Sequence, residues 1–257
     1  MDTPRVDLHD LAWAAGLYDG EGSCSAYLPK RRKTYRRQMA VSQGGDPGKP
    51  PIVLLGFRNA VGGVGNITGP YRGYLFYWKT TRIHVIDAIA TALWPFLGQE
   101  KREQFLVASG LAGKLLPLDL MAPRSHSDDT ERAWAAGFFD GEGSVGVGGG
   151  NYLRRAYRQP SMEIPQSSAQ GIPDSLHHFQ TVVGVGSITG PYPPRNPWAR
   201  LPSYRWELGG HRKVEFVAGL LWPWLGCVKR SQVEWALSLV HDGLARGAHK
   251  SAADREA

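Results

Sequence analysis

The sequence predicts an α+β protein built from two pseudo-symmetric αββαββα repeats, with the first helix of each repeat packed against its twin and antiparallel sheets completing each half. Three observations predict it. Trp13-Ala14-Ala15-Gly16-Leu17-Tyr18-Asp19-Gly20-Glu21-Gly22-Ser23 returns 121 positions later as Trp134-Ala135-Ala136-Gly137-Phe138-Phe139-Asp140-Gly141-Glu142-Gly143-Ser144. Val64-Gly65-Asn66-Ile67-Thr68-Gly69-Pro70-Tyr71 returns at the same offset as Val185-Gly186-Ser187-Ile188-Thr189-Gly190-Pro191-Tyr192. At an offset of 128, Leu93-Trp94-Pro95-Phe96-Leu97-Gly98 returns as Leu221-Trp222-Pro223-Trp224-Leu225-Gly226, and Lys101-Arg102-x-Gln104 as Lys229-Arg230-x-Gln232. The seven extra residues fall between Tyr192 and Trp206, where Pro193-Pro194-Arg195-Asn196-Pro197-Trp198 predicts a longer loop.

Each repeat opens on a helix. Asp7 is the expected N-cap of the first, and Asp128, with Glu131 three residues on, that of the second. Within these helices Ala12, Ala15 and Gly16, and again Ala133, Ala136 and Gly137, form strips of small residues at helical spacing. Such strips let two backbones approach closely, so the copies are expected to pack on each other and bring their C-terminal ends together. Both helices end at Gly-Glu-Gly. Ser23 to Leu28 and Tyr35 to Gln43 then alternate as a hairpin. Cys24, Ala26 and Leu28 share one face and Ser25 and Tyr27 the other, while Met39 and Val41 point inward and Gln38 and Ala40 outward.

Pro51 to Val61 predicts a short helix with proline near its first turn. A second hairpin follows, Asn66 to Tyr71 with Leu75 to Thr80, then helices over Ile83 to Leu93 and Lys101 to Leu111. Trp94, Pro95, Trp222 and Pro223 are read as core or helix-end packing, and His84 and His211 as surface residues. Pro117, Pro123, Ser125 and Ser127 mark a connector, which divides the chain into an N-terminal repeat 1–116, a linker 117–127, a C-terminal repeat 128–245 and a disordered tail 246–257.

Composition narrows the class. No apolar run approaches the ~18 residues of a membrane span. The acidic stretch Met1 to Asp10 does not read as a signal peptide, so a cytoplasmic protein is expected. Cys24 and Cys227 are too few for a disulfide framework and lie in no metal-type spacing, so both are expected to be buried small hydrophobes. A net charge of +7 and a pI near 9.5 point to a polyanionic partner.

The chemistry concentrates at the ends of the repeated helices, in Asp19, Glu21, Asp140 and Glu142. A carboxylate at a helix C-terminus is disfavoured by ~0.3–1 kcal/mol against the macrodipole, and convergence adds repulsion. Divalent cations would compensate both, and hard carboxylate oxygens suit magnesium.

Ala14 to Gly22 and Ala135 to Gly143 resemble the namesake motif of the LAGLIDADG homing endonucleases, and two copies in one chain resemble the monomeric double-motif class. The resemblance extends to the element order and so covers nearly the whole chain. It implies sheets that form a DNA-binding saddle and a metal site made of Glu21 with the carbonyl of Gly20 and Glu142 with the carbonyl of Gly141. Asp19 and Asp140 would be structural, closing the helix ends. Gln43 and Gln166, each four residues after a methionine, would position waters, and Lys101 and Lys229 would stabilise transition-state charge. The implied cofactor is Mg2+, or another divalent cation such as Mn2+, with Ca2+ supporting binding without cleavage. The implied partner is double-stranded DNA, cut once per strand with 3′ overhangs by a monomer that acts on no membrane. A mobile intron or intein element is the family's context, although nothing around the repeats resembles intein splicing blocks.

Contacts to DNA are expected from the hairpins: Ser25, Tyr27, Lys30, Arg31, Arg32, Lys33, Arg36, Arg37 and Gln38 in the first, and Arg154, Arg155 and Arg158 at the matching tip. The second hairpins add Arg72, Lys79, Arg82, Arg195, Arg200 and Arg205. The alternative is a non-cleaving nucleic-acid binder of the same fold, an intron RNA maturase or a transcription regulator. A purely structural tandem repeat is disfavoured by the basic hairpin tips.

Overall fold

Helix α1 (Leu8–Glu21) begins where the Asp7 carboxylate accepts the His9 amide at 2.9 Å, satisfying one of the amides that a helix start leaves open. The computed structural model describes residues 7–30, 35–110, 127–149, 158–194 and 200–239. After α1 come β1 (Gly22–Tyr27), β2 (Arg36–Gly44), α2 (Ile52–Ala60), β3 (Asn66–Tyr71), β4 (Leu75–Thr80), α3 (Ile83–Leu93) and α4 (Gln99–Ser109). The second repeat gives α5 (Asp128–Glu142), β5 (Ser144–Gly149), β6 (Arg158–Ser167), α6 (Asp174–Val183), β7 (Ser187–Tyr192), β8 (Ser203–Gly209), α7 (His211–Leu221) and α8 over residues 227–239. The architecture is the expected α+β duplication. Each half holds a four-stranded antiparallel sheet, ordered β1-β2-β4-β3 and β5-β6-β8-β7, with the register shifting at Thr68/Tyr71 and at Thr189/Tyr192.

Two boundaries move for physical reasons. The second motif helix is capped by Ser127 rather than Asp128: the Ser127 hydroxyl accepts the Thr130 amide at 3.2 Å, and Asp128 and Asp129 instead lie in the first turn, where the dipole favours them. Helix α4 starts at Gln99, two residues before the expected Lys101, because the extended Gly98 hands its amide to Asp19.

Contacts divide the chain into Met1–Glu142 and Gly143–Ala257, so both motif helices belong to the first unit. The repeat boundary at 128 follows sequence register, whereas the division at Glu142 follows packing. Residues 117–126 of the connector and the tail 246–257 lie outside the described residues.

In the first unit the inner face of the sheet carries Cys24, Met39, Val41, Phe76 and Trp78 against Leu54 and Phe57 of α2 and Ile86 and Ile89 of α3. Phe57 meets Trp78 edge-on at 4.8 Å between centroids, and the Trp78 indole N–H donates to the Val64 carbonyl at 2.8 Å. Cutting such a ring back to alanine removes ~3–5 kcal/mol. The second unit repeats this in its own core: Phe179 meets Trp206 at 4.8 Å, and the Trp206 indole donates to Val185 at 3.0 Å. Gly65 and Gly186 have positive φ, and a Cβ at either would strike the tryptophan ring at 2.5 or 2.4 Å, which explains the repeated Val-Gly.

Two burial expectations need correction. Ala40 lies on the outward face, opposite Ser23 and Lys79, yet is buried because the flanking strands β1 and β4 cover its methyl group. Cys24 is buried as expected, but Cys227 is exposed at the start of α8.

Candidate functional site

The small-residue strips meet. Helices α1 and α5 form the most extensive helix–helix contact in the first unit. Ala12, Ala14, Ala15, Ala133, Ala135 and Ala136 are fully buried. A Cβ on Gly16 would stand 1.9 Å from the Trp134 carbonyl oxygen, and one on Gly137 1.9 Å from that of Trp13. Only a Cα–H fits, and it points at a carbonyl of the partner helix, a weak but favourable contact.

Each helix also grips the other through an aspartate. The Trp13 indole N–H donates to Asp140 and the Trp134 indole to Asp19, both at 2.8 Å. Asp19 further accepts the Gly98 amide at 3.0 and 2.9 Å, tying α1 to the start of α4. The aspartates are therefore structural, as the resemblance implies, and they clamp neighbouring elements. Helix α1 closes through the Gly22 amide, which bonds to Tyr18. The indole–aspartate pairs were missed in the sequence, although Trp13 and Trp134 head both repeats.

Past the aspartates the glutamates cross. A Cβ on Gly20 would stand 2.6 Å from Glu142 Cγ, and one on Gly141 3.3 Å from Glu21 Cγ. Each glutamate stem thus lies on the glycine of the opposite helix, which a larger residue would displace. Glu21 and Glu142, with the carbonyls of Gly20 and Gly141, offer only oxygen donors, the set that hard divalent cations take. Among the described residues no group of three or more His, Cys, Asp or Glu could hold a metal. An ion here would therefore complete its shell from backbone, water or phosphate oxygens.

The repeated lysines each reach a glycine carbonyl within their own unit. Lys101 is buried and donates to the Gly22 carbonyl at 2.8 Å, and in the second unit Lys229 donates to the Gly143 carbonyl. Burying an ammonium is expensive unless it is hydrogen-bonded, a cost that the Gly22 carbonyl offsets for Lys101, while Lys229 is half-buried. Their neighbours are repeated as well: Arg102 lies over the Trp94 ring and donates to the Trp94 and Pro95 carbonyls, and Arg230 lies over Trp222 and donates to that of Pro223.

Gln43 takes a different place from the one expected. It pairs with Phe76 and shares the inner face with Val41, and its buried side-chain oxygen accepts no hydrogen bond among the described residues. Gln166, opposite Tyr204, shares the inner face of its own sheet with Ile164. The Gly22–Val41 pairing sets residue 42, not 43, beside Glu21, and the Ser42 hydroxyl donates to Glu21 Oε2 at 3.3 Å. Alternation along a strand makes this choice. The pattern had placed Gln38 and Ala40 outward, so it also carried Ser42 on that face.

The outward face of the first sheet presents Ser23, Ser25, Tyr27, Arg36, Gln38, Ser42, Tyr77, Lys79, Asn66 and Thr68, two of them cations and none an acid. Lys79 lies 5.6 Å over the Tyr71 ring. Lys30, Arg72 and Arg82 are exposed, Arg72 with a left-handed backbone in the hairpin turn. Arg37, expected among the DNA contacts, is turned to the other face. It donates to Asp87 of α3 at 2.7 and 3.2 Å and to Ser109 of α4 at 2.7 Å.

On the second sheet Arg205 faces outward but pairs with Glu163 at 3.1 Å and lies over Tyr192. Glu163 also stands opposite Glu207, so this face is mixed in charge where the first is basic. Arg200 is exposed, and Arg158 begins β6. Arg31, Arg32, Lys33, Arg154, Arg155 and Arg195 lie outside the described residues. No helix among the described residues is long and apolar enough to cross a membrane.

No family model matches the chain. No curated protein matches it either. Solved structures do. The LAGLIDADG homing endonuclease I-GzeII in complex with its DNA target is 14% identical with a TM-score of 0.67, covering 92% of this chain and 91% of that one. I-LtrWI bound to target DNA is 15% identical with a TM-score of 0.62, covering 93% and 96%. I-SmaMI bound to uncleaved DNA in the presence of calcium ions is 14% identical with a TM-score of 0.57, covering 91% and 95%. With motif helices crossing at paired glycines, and a sheet of order 1-2-4-3 in each half, this chain has the fold of the double-motif LAGLIDADG homing endonucleases.

Proposed function

We propose that this protein is a site-specific endonuclease that binds a long double-stranded DNA target as a monomer and hydrolyses one phosphodiester in each strand. The observation that carries this reading is the crossing of Glu21 and Glu142 over each other's glycines, with a lysine on the carbonyl that follows each glutamate. Paired acids at helix ends work against folding, by ~0.3–1 kcal/mol each for the dipole alone, and a catalytic role accounts for their retention. The similarity to structures whose names describe DNA-bound homing endonucleases adds support.

The carboxylates of Glu21 and Glu142, with the carbonyls of Gly20 and Gly141, would hold divalent cations, Mg2+ being the natural choice. When bound, such a cation supplies an acidified water and a clamp on the phosphate oxygens. The protein's own groups do the rest. Lys101 and Lys229, held on the carbonyls of Gly22 and Gly143, would supply positive charge to a phosphate that gains charge on the way to the transition state. Arg36, Lys79 and the exposed hairpin residues engage the phosphate backbone, and Ser25, Tyr27 and Gln38 on the same face are in position to meet base edges. Gln43 and Gln166 face inward and are assigned no contact with the reacting phosphate.

The test begins with a target selected from a random DNA library and carried on a supercoiled plasmid. With Mg2+ the wild type is expected to nick and then linearise it, and Glu21→Gln is expected to abolish cutting of one strand while DNA binding persists. Tight, selective binding with no cleavage under any divalent metal would instead establish a non-cleaving binder of this fold.

A further inference from the structure

We infer that Arg205 is the residue through which the second sheet reads a guanine, and that Glu163 is the positioning residue that holds its guanidinium for that contact. This rests on the DNA-binding part of the reading above and on no step of its cleavage chemistry. Arg205 stands on the outward face of β8, between the inward Tyr204 and Trp206. Its Nη1 pairs with Glu163 Oε2 at 3.1 Å, its guanidinium lies 5.8 Å from the centre of the Tyr192 ring, and Thr189 is its partner on β7. A planar group held at one edge by a carboxylate and on one face by an aromatic ring has little freedom left to lose on binding. Its Nε is buried and has no acceptor among the described residues, while the side chain as a whole is 27% exposed. The fork it can offer a ligand is therefore the Nη end, and that end matches guanine O6 and N7 together.

The first sheet supplies the contrast. The indoles of Trp78 and Trp206, each donating to the carbonyl of the repeated valine, set β4 and β8 in matching register. The counterpart of Arg205 is then Tyr77, and that of Lys79 is Glu207. Both repeated tyrosines carry a cation, but Tyr71 carries Lys79, at 5.6 Å, whose neighbours across the strands are Ala40 and Asn66. A lysine there is a mobile point charge suited to a phosphate, whereas a braced arginine is suited to a base edge. Glu163 is otherwise hard to account for. It stands directly opposite Glu207, a like-charge pair that weakens a sheet, and acids on a surface that meets DNA lower its affinity for every sequence. Bracing Arg205 gives Glu163 a role in discrimination that offsets both costs.

The test measures binding without Mg2+, so it does not depend on cleavage. A target is selected from a random duplex library, and affinity is read by fluorescence anisotropy on that target and on every single-base-pair change within it. The wild type is expected to lose about ten- to a hundredfold when the guanine of one G·C pair is replaced. Arg205→Lys, which keeps stem and charge, should make binding indifferent to that pair and leave the rest of the profile intact. Glu163→Ala should flatten the same pair, with no further effect when added to Arg205→Lys. Glu163→Gln keeps an acceptor for Nη1 and should restore most of the discrimination. Thermal unfolding of each variant separates this from a brace that serves only the fold, which would lower the melting temperature and leave the profile unchanged. A uniform loss across all sequences in Arg205→Lys marks a phosphate contact and overturns the inference. Cleavage of the target by a protein whose profile ignores both residues overturns it too and leaves the nuclease reading standing. Selective binding through Arg205 by a protein that cuts no DNA does the reverse, and a selection that enriches no sequence overturns both.

Discussion

Replacing Gly16 by alanine adds one methyl group where two helix backbones touch. The new Cβ would stand 1.9 Å from the Trp134 carbonyl oxygen and 2.8 Å from the Phe138 amide nitrogen. Both neighbours are backbone atoms and cannot rotate away. Ordinary contact begins near 3.4 Å, so α1 and α5 must part by about 1.5 Å. That separation strains the Trp13–Asp140 and Trp134–Asp19 bonds, both at 2.8 Å, and each bond to a charged group contributes ~1.5–3 kcal/mol when intact. Overpacking alone costs about 1–3 kcal/mol. Against this, alanine gains ~1 kcal/mol in helix propensity. The net expectation is a loss of about 3–5 kcal/mol, a large share of the ~5–15 kcal/mol that holds a typical domain folded.

Urea unfolding followed by tryptophan fluorescence measures this loss. Gly219→Ala supplies the control. Gly219 lies exposed within α7, and a Cβ there would meet nothing within 4 Å. That variant should gain roughly 0.5–1 kcal/mol. If Gly16→Ala were neutral or stabilising, like Gly219→Ala, the close approach of the two motif helices described above would be wrong.

Arg37→Ala should cost about 1–2 kcal/mol in thermal unfolding, since it strands Asp87 and Ser109, while the salt dependence of DNA binding stays as in the wild type. Lys79→Ala should do the opposite, lowering the salt slope by roughly one with little change in stability. A flattened slope in Arg37→Ala would return that residue to the DNA surface. For the thiols, burial pushes Cys24 up to about 11, so it forms almost no thiolate at pH 8. Iodoacetamide should therefore label only the exposed Cys227 in the folded protein and both cysteines in urea, as read by peptide mass; labelling of native Cys24 at an equal rate would contradict its burial.

Much of the fold was legible because the repeat supplied two readings of every element. The second hairpin of the first repeat and α3 begin and end where alternation and helical periodicity put them. The small-residue strip predicted the helix pair, since Ala12, Ala15 and Gly16 leave room for nothing larger than a facing backbone. The site was legible less evenly. Glu21 and Glu142 stood out because carboxylates at helix ends oppose the dipole. Gln43 drew attention as a repeated polar strand end, while Ser42, whose counterpart is Pro165, left no repeat to notice. Arg37 sat inside a basic run, and nothing local distinguishes an arginine that meets solvent from one that turns under the sheet to Asp87.

The sequence by itself determined the duplication, the α+β element order and the acids at the helix ends, because these follow from composition and period along the chain. Only the tertiary structure decided which side chain answers which. The Trp13–Asp140 bond spans 127 residues and the Lys101–Gly22 bond 79. Partners that far apart are chosen by packing geometry, and no local pattern encodes it.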